Sequence, residues 1–124
     1  MAKRIVLMVM VAAMMLLLMA PMSLAVEKRC HARPCYGTNK ADILLERRGD
    51  GVADKIFGKR GGDRINASRF NKDRDLLYGG RGDDRLNAQD GDGRDVVRGG
   101  HGNDVCYVDG GDSYRSCETV TVVG

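Results

Sequence analysis

The chain has 124 residues, with 20 Lys and Arg against 17 Asp and Glu, and a net charge of +3. It contains 17 glycines and no tryptophan, and its acidic residues are 14 Asp but only 3 Glu. Glu favours helices whereas Asp favours turns, so this composition argues against a helical protein and indicates one turn-rich domain. The near balance of basic and acidic residues gives no reason to expect a nucleic-acid partner.

The first 25 residues have the features of a secretory signal peptide. Lys3 and Arg4 precede an apolar run over residues 5–19, and a small-x-small cleavage site ends at Ala25. We therefore predict cleavage after Ala25 and secretion of the remaining 99 residues, with a net charge of +1 and no membrane span. The alternative is an uncleaved membrane anchor, because apolar residues continue beyond the run.

A nonapeptide motif recurs through the rest of the chain. Residues 79–87, GGRGDDRLN, fit the pattern G-G-x-G-x-D-x-U-x, where U is a large apolar residue, at every fixed position. Residues 99–107, GGHGNDVCY, are a second full match, and residues 58–66, GKRGGDRIN, lack only the second glycine. Residues 37–45, GTNKADILL, are a degraded fourth copy that retains Asp42. Four copies in phase indicate a repeat architecture.

These repeats resemble the RTX, or haemolysin-type, calcium-binding repeats, and the resemblance covers about two thirds of the chain after the leader. It implies an all-β fold, a right-handed parallel β-roll (β-solenoid) of about three to four coils, with Ca²⁺ as its cofactor. It also implies that calcium ions lie between adjacent turns on the same side. We find no catalytic constellation and therefore expect a protein that is not an enzyme.

The sixth-position aspartates alternate between two spacings. They are Asp42, Asp54, Asp63, Asp75, Asp84, Asp95 and Asp104, separated by 12, 9, 12, 9, 11 and 9 residues. In the β-roll that the resemblance implies, every second aspartate stacks on the same side. We call Asp42, Asp63, Asp84 and Asp104 the tight-turn row, because their turns carry the glycine pattern. We call Asp54, Asp75 and Asp95 the long-turn row, because their turns contain extra residues.

The resemblance also implies which residues bind calcium, through aspartate carboxylates and turn carbonyls. They are Asp42, Gly58, Arg60, Gly61, Asp63, Gly79, Arg81, Gly82, Asp84, Gly99, His101, Gly102 and Asp104, with Asp54, Asp75 and Asp95 as weaker candidates. One alternative is that aspartates only cap turns through local hydrogen bonds, which we expect for Asp50, Asp109 and Asp112. Another is that pairs of Arg and Asp replace some of the ions.

An apolar residue follows two positions after each of these aspartates. In an extended chain such residues point to one side, so we predict a core ladder of Leu44, Ile56, Ile65, Leu77, Leu86, Val97 and Cys106. Strands after the tight turns present Arg64 and Arg85 to solvent. Strands after the long turns present an apolar patch of Phe57, Leu76, Tyr78 and Val96. This patch either binds a partner or is covered by residues 26–36 and pairing across strands.

The two ends of the repeat array, residues 37–108, are predicted to be capped by residues 26–36 and 109–124. Four cysteines behind a secretory leader favour disulfides, which a domain with a thin core requires. Three pairings are possible, and we favour Cys30–Cys35 and Cys106–Cys117 because each pair lies at one end of the array. The alternative is a zinc site that uses Cys30, His31 and Cys35.

Two functions are consistent with these features. The first is a secreted, monomeric, non-enzymatic calcium-binding repeat protein that folds with calcium and has a structural or surface-interaction role. The alternative is a cationic secreted binder of anionic cell-envelope or polysaccharide surfaces, which uses the face around Arg64 and Arg85 on an ion-independent solenoid. The calcium dependence of folding distinguishes the two.

Overall fold

The computed structural model describes residues 25–31, 33–46, 52–68 and 73–124. The predicted signal peptide, apart from Ala25, and the predicted turn cap Asp50 lie outside these residues. Within them, no helix is long and apolar enough to cross a membrane.

The described residues form strands that alternate between two parallel sheets. In chain order they are β1 (Val26–Cys30), β2 (Cys35–Tyr36), β3 (Asp42–Glu46), β4 (Lys55–Arg60), β5 (Arg64–Asn66), β6 (Leu76–Arg81), β7 (Arg85–Asn87), β8 (Val96–His101), β9 (Val105–Asp109), β10 (Ser113–Arg115) and β11 (Thr119–Val123). The first sheet has the order β1-β3-β5-β7-β9-β11 and the second has the order β10-β8-β6-β4-β2. All the pairings between these strands are parallel. The predicted parallel β-solenoid is confirmed.

The core of the solenoid runs between the two sheets. Its register places Ile65 beside Leu86 and Leu86 beside Cys106, while Leu77 lies beside Val97 in the other sheet. All seven residues of the predicted core ladder are buried. The first sheet also buries apolar residues that the pattern did not predict, namely Ala67, Ala88 and Val108. They follow two positions after a core residue of the first sheet, so the alternation continues one step further there.

A disulfide lies near each end of the solenoid. Cys30 is bonded to Cys35, with a Cα–Cα distance of 5.4 Å. Cys106 is bonded to Cys117, with a Cα–Cα distance of 6.0 Å. Both pairings are the ones favoured from the sequence. The alternative of a zinc site at Cys30, His31 and Cys35 is wrong, because the two sulfur atoms are bonded to each other.

Aromatic rings stack across the outer face of the second sheet. The ring centroids of Tyr36 and Phe57 are 5.1 Å apart, and those of Phe57 and Tyr78 are 4.8 Å apart. The Lys59 ammonium lies 5.3 Å from the Tyr36 ring, and the Arg98 guanidinium lies 5.3 Å from the Tyr78 ring. The interpretation of the apolar patch as cross-strand pairing is therefore confirmed, and β2 adds a ring to it. We call Tyr36, Phe57 and Tyr78 the aromatic ladder.

Candidate calcium-binding turns

The aspartates of the tight-turn row are joined by hydrogen bonds from coil to coil. The main-chain N–H of Asp42 donates to Oδ1 of Asp63, over 2.8 Å. In the same way Asp63 donates to Asp84 and Asp84 to Asp104, each over 2.8 Å. One carboxylate oxygen of each acceptor is therefore used by the solenoid backbone itself. The row thus forms a ladder of hydrogen bonds along the solenoid.

Glu118 ends this ladder in the place of a further aspartate. Its Oε2 accepts a hydrogen bond of 2.7 Å from the main-chain N–H of Asp104. The sequence analysis did not predict this role, because Glu118 follows Asp104 by 14 residues rather than the 20 or 21 of the other steps. The sequence feature that could have identified Glu118 is its position directly before strand β11.

The second carboxylate oxygen of three aspartates in the row has no hydrogen-bond partner. Oδ2 of Asp63, Asp84 and Asp104 is buried and unpaired within the described part of the chain. No arginine hydrogen bond therefore replaces an ion at these atoms. Leaving a charged oxygen buried in this way is costly, so these atoms indicate a cation.

Burial also changes the acidity of these carboxyl groups. The pKa of Asp63 is raised to about 6 and that of Asp84 to about 7, chiefly by desolvation; a backbone hydrogen bond opposes the shift and neighbouring carboxylates add to it. The pKa of Asp104 is raised as well, first by burial and then by Glu118 and Asp83. Each group is therefore hard to ionise unless a positive charge is close by.

The first glycine of each tight turn leaves room beside these oxygen atoms. A Cβ added to Gly58 or Gly79 would overlap Oδ2 of Asp63 or Asp84, respectively, and a glycine carbonyl oxygen of the following coil. A Cβ added to Gly99 would overlap Oδ2 of Asp104 and the carbonyl oxygen of Ser116. An unpaired carboxylate oxygen and a main-chain carbonyl oxygen thus face the same glycine in each turn.

The third and fourth turn positions contribute main chain rather than side chains. Gly61, Gly82 and Gly102 have φ values of 105°, 122° and 133°, which a residue with a Cβ rarely adopts. The N–H of Gly61 donates to the carbonyl of Arg81, and that of Gly82 to the carbonyl of His101, each over 2.9 Å. The side chains of Arg60, Arg81 and His101 are exposed. These three residues therefore offer the site only carbonyl oxygens.

The degraded turn at residues 37–42 differs from the other three. Thr38 occupies the position of the second glycine, and its main-chain N–H donates to Oδ2 of Asp42. The Thr38 hydroxyl also lies 3.1 Å from both carboxylate oxygens. The Asp42 carboxylate is thus satisfied by local hydrogen bonds, as the turn-capping alternative expects, and this turn offers less to an ion.

The long-turn row has the same ladder of hydrogen bonds. Asp54 donates to Oδ1 of Asp75 over 2.7 Å, and Asp75 donates to Oδ1 of Asp95 over 2.8 Å. Asp95 in turn donates to Oδ1 of Asp112 over 2.9 Å, so Asp112 ends this row as Glu118 ends the other. The interpretation of Asp112 as only a local cap is wrong, although its Oδ2 does accept from the N–H of Asp109.

Asp109 also departs from the expected local cap. Its Oδ2 accepts a hydrogen bond of 2.6 Å from the N–H of Gly91, which belongs to the preceding coil. The carboxylate therefore joins two coils instead of closing its own turn.

Additional carboxylates gather around the aspartates of the long-turn row. Oxygen atoms of Glu46, Asp73 and Asp75 lie within 4.8 Å of one another, and so do those of Asp90, Asp92 and Asp95. The pKa of both Asp75 and Asp95 is raised to about 8, chiefly by desolvation; a backbone hydrogen bond opposes the shift and the neighbouring carboxylates add to it. The sequence analysis ranked the long-turn row as the weaker candidate for calcium. The structure nevertheless places more carboxylates around its aspartates than around those of the tight-turn row.

The oxygen atoms that both rows offer as ligands suit a hard cation. Ca²⁺ takes six to eight oxygen ligands, as a mixture of carboxylates and main-chain carbonyls. The buried, unpaired Oδ2 atoms and the adjoining carbonyls are ligands of this kind. The described residues of the turns therefore fit calcium.

A parallel β-solenoid with stacked, aspartate-bearing turns defines a class of calcium-binding structural protein. The family model described as RTX calcium-binding nonapeptide repeat (4 copies) matches residues 71–92 and 87–114. The identification of RTX-type repeats in this chain is thereby confirmed, and Ca²⁺ is the ion that such repeats bind. The RTX solenoid is a non-catalytic fold. Searches of curated proteins and of solved structures gave no match.

Proposed function

We propose that this chain is a secreted, non-enzymatic structural protein whose turns take up calcium as the chain folds outside the cell. One observation carries the proposal. Oδ2 of Asp63, Asp84 and Asp104 is buried, has no hydrogen-bond partner and faces a glycine beside a carbonyl oxygen. A folded chain without a cation would hold these carboxylates next to one another at a cost in free energy, whereas a bound cation would stabilise them.

The proposed ions lie between successive turns of the tight-turn row. Asp63, Asp84 and Asp104 supply carboxylates to these sites. Carbonyl oxygens come from the turn residues Gly58, Arg60, Gly61, Gly79, Arg81, Gly82, Gly99, His101 and Gly102. A site at Asp42 is the weakest of the row, because Thr38 already satisfies that carboxylate. Asp54, Asp75 and Asp95 are the corresponding candidates of the long-turn row.

Calcium binding and folding are coupled in this proposal. The sites combine groups from different coils, so they exist only when the coils are stacked. The free energy of ion binding therefore adds directly to the free energy of folding. The disulfides tie both ends of the array independently of calcium. The role proposed for the ions is to order the turns between these ends.

Secretion fits the chemistry of the chain. Disulfides form and persist in oxidising compartments, and both disulfides together with the calcium-binding repeats indicate an extracellular protein. The predicted signal peptide, residues 1–25, supplies the route. We propose a monomer, because stacking within the second sheet already covers part of its apolar patch.

Circular dichroism of the oxidised, secreted chain tests the proposal. At a fixed temperature the far-UV strand signal should be weaker in a chelator, where the chain melts at a lower temperature, and should rise on titration with calcium, but not with the same concentration of magnesium. The physical reason is that Mg²⁺ demands near-ideal octahedral geometry and gives up its water reluctantly. A strand signal that is strong in chelator and unaffected by calcium would contradict calcium-coupled folding.

A second candidate function rests on the outer face of the first sheet. Arg64 and Arg85 are neighbours in register and exposed, and they line a shallow depression with Asn66, Asn87 and Tyr107. Two adjacent guanidinium groups suit the carboxylates or sulfates of an anionic polysaccharide. We propose this face as the site that would bind an anionic polysaccharide.

Heparin chromatography measures that second function. The variant Arg64→Gln/Arg85→Gln should elute at a clearly lower salt concentration than the unmodified chain, because charge-based binding is screened by salt. Arg115→Gln, which removes an exposed arginine on β10, is the matched control and should change elution little. Equal losses in both variants would assign retention to net charge and not to this face.

A further inference from the structure

The loop between β7 and β8 holds three aspartates that share one arrangement. Oδ1 of Asp90 accepts from the N–H of Asp92, and Oδ1 of Asp92 accepts from the N–H of Arg94, each over 2.9 Å. Oδ1 of Asp95 accepts from the N–H of Asp75 in the preceding coil, over 2.8 Å. Each carboxylate is therefore oriented by one backbone hydrogen bond to its Oδ1 atom.

The other oxygen of each of these carboxylates is left without a partner. Oδ2 of Asp90, Asp92 and Asp95 is buried and accepts no hydrogen bond within the described residues. The side chain of Asp95 is only 1% exposed, so solvent cannot satisfy it. Three buried, unpaired oxygen atoms on adjacent side chains would repel one another unless a cation lies between them.

The spacing of the three carboxylates suits a single ion. One oxygen of each lies within 4.8 Å of the others. Two oxygens bound to one Ca²⁺ at 2.3–2.6 Å are at most about 5 Å apart, so the observed spacing allows all three to bind the same ion. Gly91 and Gly93 alternate with the aspartates at φ values of 92° and 70°, which lets the loop curve around that point.

The electrostatic surroundings add to this requirement for a positive charge. Burial raises the pKa of Asp90, and the carboxylates of Asp92, Asp109 and Asp112 raise it further. Asp109 and Asp112 are themselves held by the hydrogen bonds from Gly91 and Asp95. Five acidic side chains, three of the loop itself and two of a later segment, thus lie close together.

We propose that Asp90, Asp92 and Asp95 form a second kind of cation site, in which one loop supplies three carboxylates to a hard divalent ion such as Ca²⁺. It differs from the proposed sites of the tight-turn row, where each ion joins a carboxylate and carbonyls of successive coils. The loop site has its three acidic ligands within six consecutive residues, 90–95. It therefore binds its ion independently of Asp63 and Asp84.

Native mass spectrometry in calcium counts the ions on each chain and tests this site. Asp90→Asn/Asp92→Asn keeps the Oδ1 acceptors but removes two charges, and it should bind one ion fewer than the unmodified chain. Asp63→Asn/Asp84→Asn should retain the loop ion. Glu27→Gln, which removes an exposed acid on β1, controls for adventitious ions and should leave the count unchanged.

The outcomes separate this site from the proposed function. Equal ion counts for the unmodified chain and Asp90→Asn/Asp92→Asn would overturn the loop site. If Asp63→Asn/Asp84→Asn binds as many ions as the unmodified chain while the loop variant loses one, the loop site stands and the tight-turn ligands are wrong. Should the double loop variant fail to fold, calorimetry of Asp92→Asn decides. At least tenfold weaker calcium binding at one site supports the proposal, and an unchanged isotherm overturns it.

Discussion

The tight-turn row and the long-turn row have the same hydrogen-bond ladder and differ in what surrounds it. In both, each aspartate N–H donates to Oδ1 of the next aspartate. In the tight turns, glycines let carbonyl oxygens approach a single carboxylate. In the long turns, further acidic side chains surround the aspartate. The same backbone thus acquires an oxygen-rich cavity in two ways, by removing side chains or by adding carboxylates.

This difference separates the roles of glycine and charge. A tight turn has one unpaired carboxylate oxygen and depends on close backbone approach, so its function should be sensitive to added volume. The loop at residues 90–95 has three unpaired carboxylate oxygens and open space at Gly91, so its function should be sensitive to loss of charge. Each row is therefore expected to fail under a different kind of substitution.

The largest expected effect is that of added volume in a tight turn. Gly79→Ala places a Cβ against the main-chain carbonyl of Gly99 and against Oδ2 of Asp84, whose buried carboxylate is held by the hydrogen bond from the N–H of Asp63. We expect a loss of about 3 kcal/mol in the free energy of unfolding, measured by denaturant titration in calcium. Gly91→Ala meets no atom within 4 Å but has a φ of 92°, and it should cost about 1 kcal/mol. Similar losses in the two variants would contradict the comparison.

The second prediction concerns pH in the absence of calcium. The pKa values of Asp63, Asp84, Asp75 and Asp95 are raised from 3.8 to between about 6 and about 8, mainly by burial. Between the two pKa values the folded state holds protons that the unfolded state has released. The contribution of these four carboxyl groups to the stability of the fold is therefore fully present below about pH 4 and is lost as the pH rises. The melting temperature in chelator should fall between about pH 4 and about pH 8.

Calcium supplies the control for this pH dependence. A bound ion favours the ionised carboxylates, so saturating calcium should remove the fall or reverse its sign. A melting temperature in chelator that increases over this range would show that the carboxylates are stabilised by other groups of the chain.

The third prediction is that one substitution raises the stability of the chain without calcium and lowers it with calcium. Asp84→Asn keeps an Oδ1 acceptor for the N–H of Asp63 and removes the buried charge. In chelator at pH 8 the variant should be more stable than the unmodified chain by about 1 kcal/mol. In saturating calcium it should be less stable, because a ligand is lost. Thermal melts in both conditions measure the two differences, and a loss of stability in both would contradict the assignment of Asp84 as a calcium ligand.

The smallest expected effect concerns the sheet that follows the long turns. Tyr78→Leu removes the ring that stacks on Phe57 and contacts Arg98, and it should cost about 1 kcal/mol. Tyr107→Leu, on the outer face of the other sheet, is the matched control and should cost less, because among the described residues no other ring stacks on it. Sedimentation of both variants should correspond to a monomer. Dissociation of a larger species by Tyr78→Leu alone would instead assign the aromatic ladder to a partner surface.

Most of the solenoid could be predicted from the sequence because residues that lie beside each other in the fold recur at regular spacings along the chain. Residues separated by one coil length lie beside each other in a parallel stack, so the spacing of aspartates was sufficient to predict the core ladder of Leu77, Leu86 and Val97. The same periodicity separated the tight-turn row from the long-turn row. It also placed the cysteine pairs at opposite ends of the array.

The remaining features were decided by the tertiary structure. Glu118 and Asp112 end the two ladders although they break the coil spacing, because the final strands meet β9 and β8 after shorter connections. Thr38 satisfies Asp42 in place of an ion through a local hydrogen bond that no repeat pattern encodes. Periodicity therefore determined which coils stack. Which carboxylate oxygen remains unpaired depends on donors that only the folded chain brings within reach.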